Sequence, residues 1–199
     1  MATICVFCAS STAIPDRYVE LAAEVGAEIA RRGHSLVTGG GSVSAMGAVA
    51  RAARAGGAST VGVIPHAILA LEVADHEADE LVVVDTMRER KGEMDRRSDA
   101  FVALPGGIGT LEELLEVWTA RTLLMHTKPV VVCDPDDAFG PLRAQVDQLV
   151  ARGFARPSIN DALVWTTSAA ETLDAVEALL AHPADVPAPP ASEVLEADP

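Results

Sequence analysis

Apolar and polar positions along the chain follow two alternating periods. Short β-branched or apolar runs are separated by Ala-rich stretches with an apolar residue every three to four positions. The short runs predict strands at 3–8, 34–38, 60–64, 81–84, 100–104, 129–133 and 162–165. The stretches between them predict helices at 16–32, 44–55, 86–98, 110–125, 137–152 and 169–181. In the first helix Val19, Ala22, Ala23, Gly26, Ala27 and Ala30 fall on one face. The runs LVVV and VVVC are apolar without alternation, as strands buried on both faces are. This βα alternation is the pattern of an α/β fold, a mostly parallel sheet with helices on both faces. Residues 183–199 carry five prolines, four acids and no base, and are expected to be a disordered tail on a single domain spanning 1–182.

Composition narrows the function classes. With 199 residues, 49% hydrophobic and 22% charged, the chain suits one globular domain. No run of about 18 apolar residues predicts a membrane span. The opening MATICVFCASS lacks the basic and apolar regions of a signal peptide and reads as a first strand. Fifteen basic residues against 29 acidic ones give a net charge of −14, which disfavours nucleic acid and anionic membrane surfaces as partners. Three cysteines are too few for a disulfide framework and point to a reducing, cytoplasmic setting. Cys5 and Cys8 spell C-x-x-C, but within a strand they face opposite sides of the sheet and read as buried thiols. The five histidines form no cluster of metal-ligand spacing, so no metal is expected.

Ligands of such sheets bind at the carboxyl ends of the strands. Two glycine clusters lie at predicted strand ends: Gly39-Gly40-Gly41, and Pro105-Gly106-Gly107-Ile108-Gly109-Thr110. Each offers backbone N–H groups at a helix N-terminus, a ready site for a phosphate, although glycine also serves tight turns for geometry alone. Neither is followed by Gly-Lys-Ser/Thr as in a Walker A loop. Thr110 and Glu113 before the stripe Leu111, Leu114, Leu115, Trp118 and Thr122 match a capping box, the preferred reading from periodicity alone. Glu113 nonetheless faces away from that stripe, toward a ligand above the loop. The helix at 86–98 holds five of the fifteen basic residues, with only Met87 and Met94 apolar. It reads either as a solvated face with i,i+4 pairs such as Glu93–Arg97, or as a patch where some of Arg88, Arg90, Lys91 and Arg97 hold an anionic substrate.

Taken together, MRERK at 87–91, SDAF at 98–101 and PGGIGTLEE at 105–113 resemble the LONELY GUY (LOG) family. CVFCASS at 5–11 and GGGSVSAMG at 39–47 are similar to its C-x-F-C-G-S-S and GGGxxGLMG segments, departing from them at Ala9 and at Ser44-Ala45. The family comprises cytokinin riboside 5′-monophosphate phosphoribohydrolases and also travels under the label lysine decarboxylase. The resemblance implies a homodimer with a modified Rossmann fold that hydrolyses the N-glycosidic bond of a nucleoside 5′-monophosphate. Arg90 and Glu113 are then the catalytic pair. Glu72, Lys91, Gly107, Ile108, Gly109, Thr110, Leu111, Glu112 and Thr119 are expected to bind substrate, together with Gly39, Gly40, Gly41 and Met46 from the first glycine loop. No cofactor and no metal is implied. The competing expectation is a non-catalytic Rossmann-like nucleotide-binding or carrier protein. Pyridoxal chemistry fits poorly, because Lys91 and Lys128 are the only lysines and neither has a recognisable cofactor context.

Overall fold

The computed structural model describes residues 1–69 and 74–182; Glu72 and the expected tail at 183–199 lie outside the described residues. Among these, seven parallel strands form one sheet: β1 (Thr3–Phe7), β2 (Ser35–Thr38), β3 (Thr60–Pro65), β4 (Glu80–Val84), β5 (Ala100–Ala103), β6 (Val130–Cys133) and β7 (Val164–Thr166). Their order is β4-β3-β2-β1-β5-β6-β7. The helices are α1 (Asp16–Arg31), α2 (Ser44–Ala55), the single turn α3 (His66–Leu69), α4 (Met87–Arg96), α5 (Ile108–Thr122), α6 (Gly140–Ala151) and α7 (Ala169–Ala181).

The pleat divides the core in two, since successive strand residues face opposite ways. Ile4, Val6 and Cys8 pack with α1, α2 and α7 on one face. Cys5 and Phe7 pack with Met94 of α4, with α5 and with Val146 of α6 on the other. The two early cysteines therefore enter different cores, and all three thiols are buried and free. On the first face α1 lies so close to α2 that a Cβ on Gly26 would stand 2.2 Å from the carbonyl oxygen of Val49.

The elements match the sequence expectations closely, and the differences have local causes. The helix expected at 110–125 begins at Ile108, with Gly107 as its N-cap and no side-chain cap. Thr110 is thus already inside the first turn, and the capping box expected of Thr110 and Glu113 does not form. A capping box does form at α4: the Glu89 N–H donates to Thr86 Oγ1 (3.1 Å), and the Thr86 N–H donates to Glu89 Oε2 (3.2 Å). The last strand starts at Val164 because residues 157–162 form a 3₁₀ turn. The carbonyl of Ile159 in that turn accepts from the Trp118 indole at 2.8 Å, a long-range bond with no local sequence signal.

Candidate active site

From β1 the chain runs outward through β2, β3 and β4, then crosses back to β5 on the other side of β1. The loops after β1 and β5 consequently leave the sheet in different directions. The crevice between them is the topological switch point at which open α/β sheets bind ligands. A cleft of about 560 Å³ opens there, walled by Cys8–Ser11 after β1 and by Pro105–Thr110 after β5, with Met46, Arg90 and Glu113 alongside.

The site is built around Arg90 on α4 and Glu113 on α5. Both are buried, 6% and 8% exposed, and Arg90 Nη1 lies 3.6 Å from Glu113 Oε1. The fork of Arg90 is held from behind by two main-chain carbonyls. Its Nε donates to Val63 O (3.0 Å) and its Nη2 donates to Gly39 O (2.8 Å). A planar guanidinium with two of its nitrogens tied to fixed backbone has one orientation left, and that orientation presents Nη1 to Glu113. Burial, followed by the negative charge of Glu113, pushes the Cys5 and Cys8 thiols up, so both stay protonated beside the site.

The uncapped first turn of α5 forms the opposite wall. That turn has no side-chain cap and carries no acidic residue of its own, so its N–H groups are left for a ligand. Gly107, Ile108, Gly109 and Thr110 line the cleft there. Gly106 is needed for this packing, because a Cβ on it would meet Thr110 Oγ1 at 2.1 Å.

The other expected site residues are distributed differently. Met46 lines the cleft, but the first glycine loop lies behind it. Its amides are committed within the chain: Gly40 N–H donates to Thr38 Oγ1 (3.2 Å) and Gly41 N–H to Met46 Sδ (3.1 Å). The anion cradle expected at Gly39-Gly40-Gly41 is therefore not available on those two amides. Lys91 pairs with Glu112 and Glu116, facing a neighbouring cavity of about 240 Å³ that also touches Glu113. Burial acts to lower the Lys91 ammonium, but the two carboxylates outweigh it and the net shift is upward. Arg97 binds Glu80 and Glu93, the latter as the expected i,i+4 pair, and Arg88 is exposed. Leu111 is partly buried against the α5 side of the core. Thr119 is exposed on the face of α5 turned away from the cleft. Residues not anticipated also line it, among them Ser10, Ile14, Tyr18, Ile68, Met87 and Ala138. The position of the 9–11 loop directly after the first strand was the signal that could have found Ser10; Ala138 arrives from a distant loop without one.

Comparison with known proteins places the chain in a family. A family described as "Possible lysine decarboxylase" matches residues 46–176. A protein of Mycobacterium tuberculosis named cytokinin riboside 5′-monophosphate phosphoribohydrolase is 53% identical over 87% of this chain and 92% of its own length. A protein of Arabidopsis thaliana with the same name is 40% identical over 87% of this chain and 81% of its own. Among solved structures, a molybdenum cofactor binding protein from Rippkaea orientalis superposes with a TM-score of 0.69 over 90% of this chain and 97% of its own, at 22% identity. That likeness shows a shared fold. The sequence identity to the phosphoribohydrolases, extending over nearly the whole described domain, goes further: this chain belongs to the LOG family, the family described as possible lysine decarboxylases.

Proposed function

We propose that the protein hydrolyses the N-glycosidic bond of a nucleoside 5′-monophosphate, a cytokinin riboside 5′-monophosphate or AMP, to free base and ribose 5-phosphate. The observation that carries this is the buried Arg90–Glu113 pair, 3.6 Å apart, set in the cleft opposite an uncapped helix N-terminus. Cleavage of a C1′–N bond passes through an oxocarbenium-like state, in which positive charge develops on the ribose. The Glu113 carboxylate supplies fixed negative charge for that state and accepts a proton from the attacking water. The bond's electron pair leaves with the base, which takes up a proton from solvent at nitrogen; the water oxygen joins C1′, and Glu113 returns the water's proton to solvent. Arg90 stays charged throughout; it orients Glu113 and the ribose and is not the proton donor. The first turn of α5 with Thr110 would hold the 5′-phosphate, so binding energy far from the reacting bond places C1′ at the carboxylate.

Decarboxylation through a lysine Schiff base lacks support from either lysine. Lys91 sits between two carboxylates, and the Lys128 ammonium donates to the main-chain carbonyl of Asp95 (2.6 Å) and to its carboxylate (2.7 Å). A nucleophilic lysine instead needs a lowered pKa.

The test is a substrate panel of AMP, GMP, CMP, isopentenyladenosine monophosphate and the matching unphosphorylated ribosides, with base release followed by chromatography. The monophosphates should react and the ribosides should not. Glu113→Gln should lose activity on the order of 10³-fold while keeping the fold. Nucleotide binding without any turnover would favour the carrier reading, and equal rates on ribosides would remove the phosphate role of α5.

The assembly proposed with this activity is a homodimer. The face of α5 away from the core exposes Leu115 and Thr119, and the chain beyond it exposes Leu123, Leu124 and Met125, the last at 74%. Surplus apolar surface of this kind commonly marks a partner. A two-fold contact through it would account for a substrate-binding Thr119 that cannot reach its own cleft. Arg121 on the same helix is 1% exposed and donates to the carbonyl of His126, so it faces the interior of its own protomer. Sedimentation should report about twice the chain mass; a monomer that turns over would exclude the shared site.

A further inference from the structure

We propose that Gly39 is a positioning residue for Arg90, acting through its carbonyl oxygen and through the absence of a side chain. This rests on the reading of Arg90 and Glu113 as the reacting pair. Gly39 follows directly on Thr38, the last residue of β2, and is buried. The Arg90 guanidinium meets it end-on, through Nη2. A Cβ built on Gly39 would stand 1.7 Å from Nη2, 2.7 Å from Cζ and 3.3 Å from Nε. The same Nη2 donates to Gly39 O at 2.8 Å, while Nε donates to Val63 O on the adjacent strand at 3.0 Å. Val63 on β3 and the residue just past β2 thus supply the two carbonyls, and the bare Cα of Gly39 leaves the space that the Nη2 end of the fork fills.

This role differs from that of the adjoining glycines. Gly40 has φ +80°, a region closed to most residues, and a Cβ there would meet Ile64 and the backbone of Val63. Gly39 has no such φ, so alanine is compatible with its backbone. What an added methyl would strike is the tip of a flexible side chain. The chain can therefore fold, and Arg90 is the group that yields. To bring Nη2 out to about 3 Å from the new carbon, the guanidinium must retreat by roughly 1.3 Å, losing its alignment with both carbonyls and with Glu113. Misplacement on that scale costs on the order of 100-fold in rate.

The experiment is a double-mutant cycle with Gly39→Ala, Arg90→Ala and the two combined. Gly39→Ala should lower kcat about 100-fold with a smaller change in KM, at a wild-type circular dichroism spectrum. In the Arg90→Ala background the same change should cost no more than about 2-fold, because the group it displaces is gone. Equal losses in both backgrounds, or an unchanged kcat, would overturn the proposal. An arm that needs no turnover is the Arg90 Nε–H resonance in ¹⁵N NMR, assigned by its disappearance in Arg90→Lys. Gly39→Ala should shift it and speed its solvent exchange, and an unmoved resonance counts against the proposal. A wild type that releases no base from any nucleotide would refute the functional reading, while this resonance still decides the Gly39–Arg90 contact. Should Gly39→Ala fail to fold, recovery of folding in the double variant supports the proposal, and failure of both overturns it.

Discussion

Glu113 illustrates how one residue can satisfy two rules and obey only the one its neighbours impose. Thr110 and Glu113 have the spacing of a capping box, but helix α5 starts two residues before Thr110, so both lie past the cap. The carboxylate is left for Arg90. Ser44 shows a different conflict. It takes φ +54°, where the LOG-like segment has glycine, and its hydroxyl donates to the Ser11 carbonyl at 2.5 Å. The left-handed conformation costs roughly 1–2 kcal/mol for a residue with a Cβ, and the hydrogen bond returns about 1 kcal/mol. Ser44→Ala keeps the strain and loses the bond, so it should destabilise by about 1 kcal/mol. Ser44→Gly relieves the strain and loses the bond, and its urea midpoint should stay close to wild type. If alanine proves as stable as serine, the hydroxyl contact contributes nothing to the loop.

At the scale of elements, the close approach of α1 to α2 rests on Gly26. The obstacle to a side chain there is the Val49 carbonyl of the facing helix, which is backbone and cannot rotate away. Alanine is the better helix former by about 1 kcal/mol, yet overpacking against fixed backbone costs about 1–3 kcal/mol and forces the helices apart. Gly26→Ala should therefore lower the thermal midpoint, by a few degrees for a domain of this size. A raised midpoint would mean that helix propensity outweighs the contact. Helix α4 makes the complementary point. With almost no apolar residues it looks poorly anchored, but Met94 reaches the core, Arg90 is buried at the site, and the Thr86–Glu89 capping box closes its N-terminus. At its C-terminus Arg97, the C-cap, pairs with Glu93 and Glu80.

For the whole molecule, acid lability follows from its ion pairs. The Arg31 guanidinium, hydrogen-bonded to Glu28 and assisted by Arg32, holds that carboxyl at about 2 against an ordinary value of 4.5. Glu93, lowered first by Arg97, and Asp79, lowered first by the Thr60 backbone, shift the same way. A carboxyl whose folded pKa is depressed contributes stability that is complete above its unfolded pKa and is lost as pH falls through the folded one. The urea midpoint should thus decline from about pH 4.5 downward, with most of the Glu28 contribution gone near pH 2. Because the pair is partly solvated, Glu28→Gln should cost no more than about 1 kcal/mol at neutral pH. It should also flatten the acid limb; parallel acid limbs in wild type and variant would refute the assignment to Glu28.

The elements and the fold class were legible in the sequence because their signals are local. A period near 2 or 3.6 is generated by the backbone geometry of each segment, and unbroken apolar runs report burial on both faces of a sheet. The motif from Pro105 to Glu113 was legible for the same reason, being one contiguous turn between a strand and a helix. Tertiary structure alone decided what those residues do to one another. Arg90 and Glu113 belong to different helices, and they meet only because the chain crosses from β4 back to β5 beside β1. The first glycine loop reads as a phosphate cradle until its Gly40 and Gly41 amides close on Thr38 and Met46. Leu115 reads as part of the apolar stripe of its helix until the docking of α5 turns it outward. Periodicity places a residue on a face of its own element, but which face the sheet covers, and which distant group waits there, is set by the packing of all the elements together.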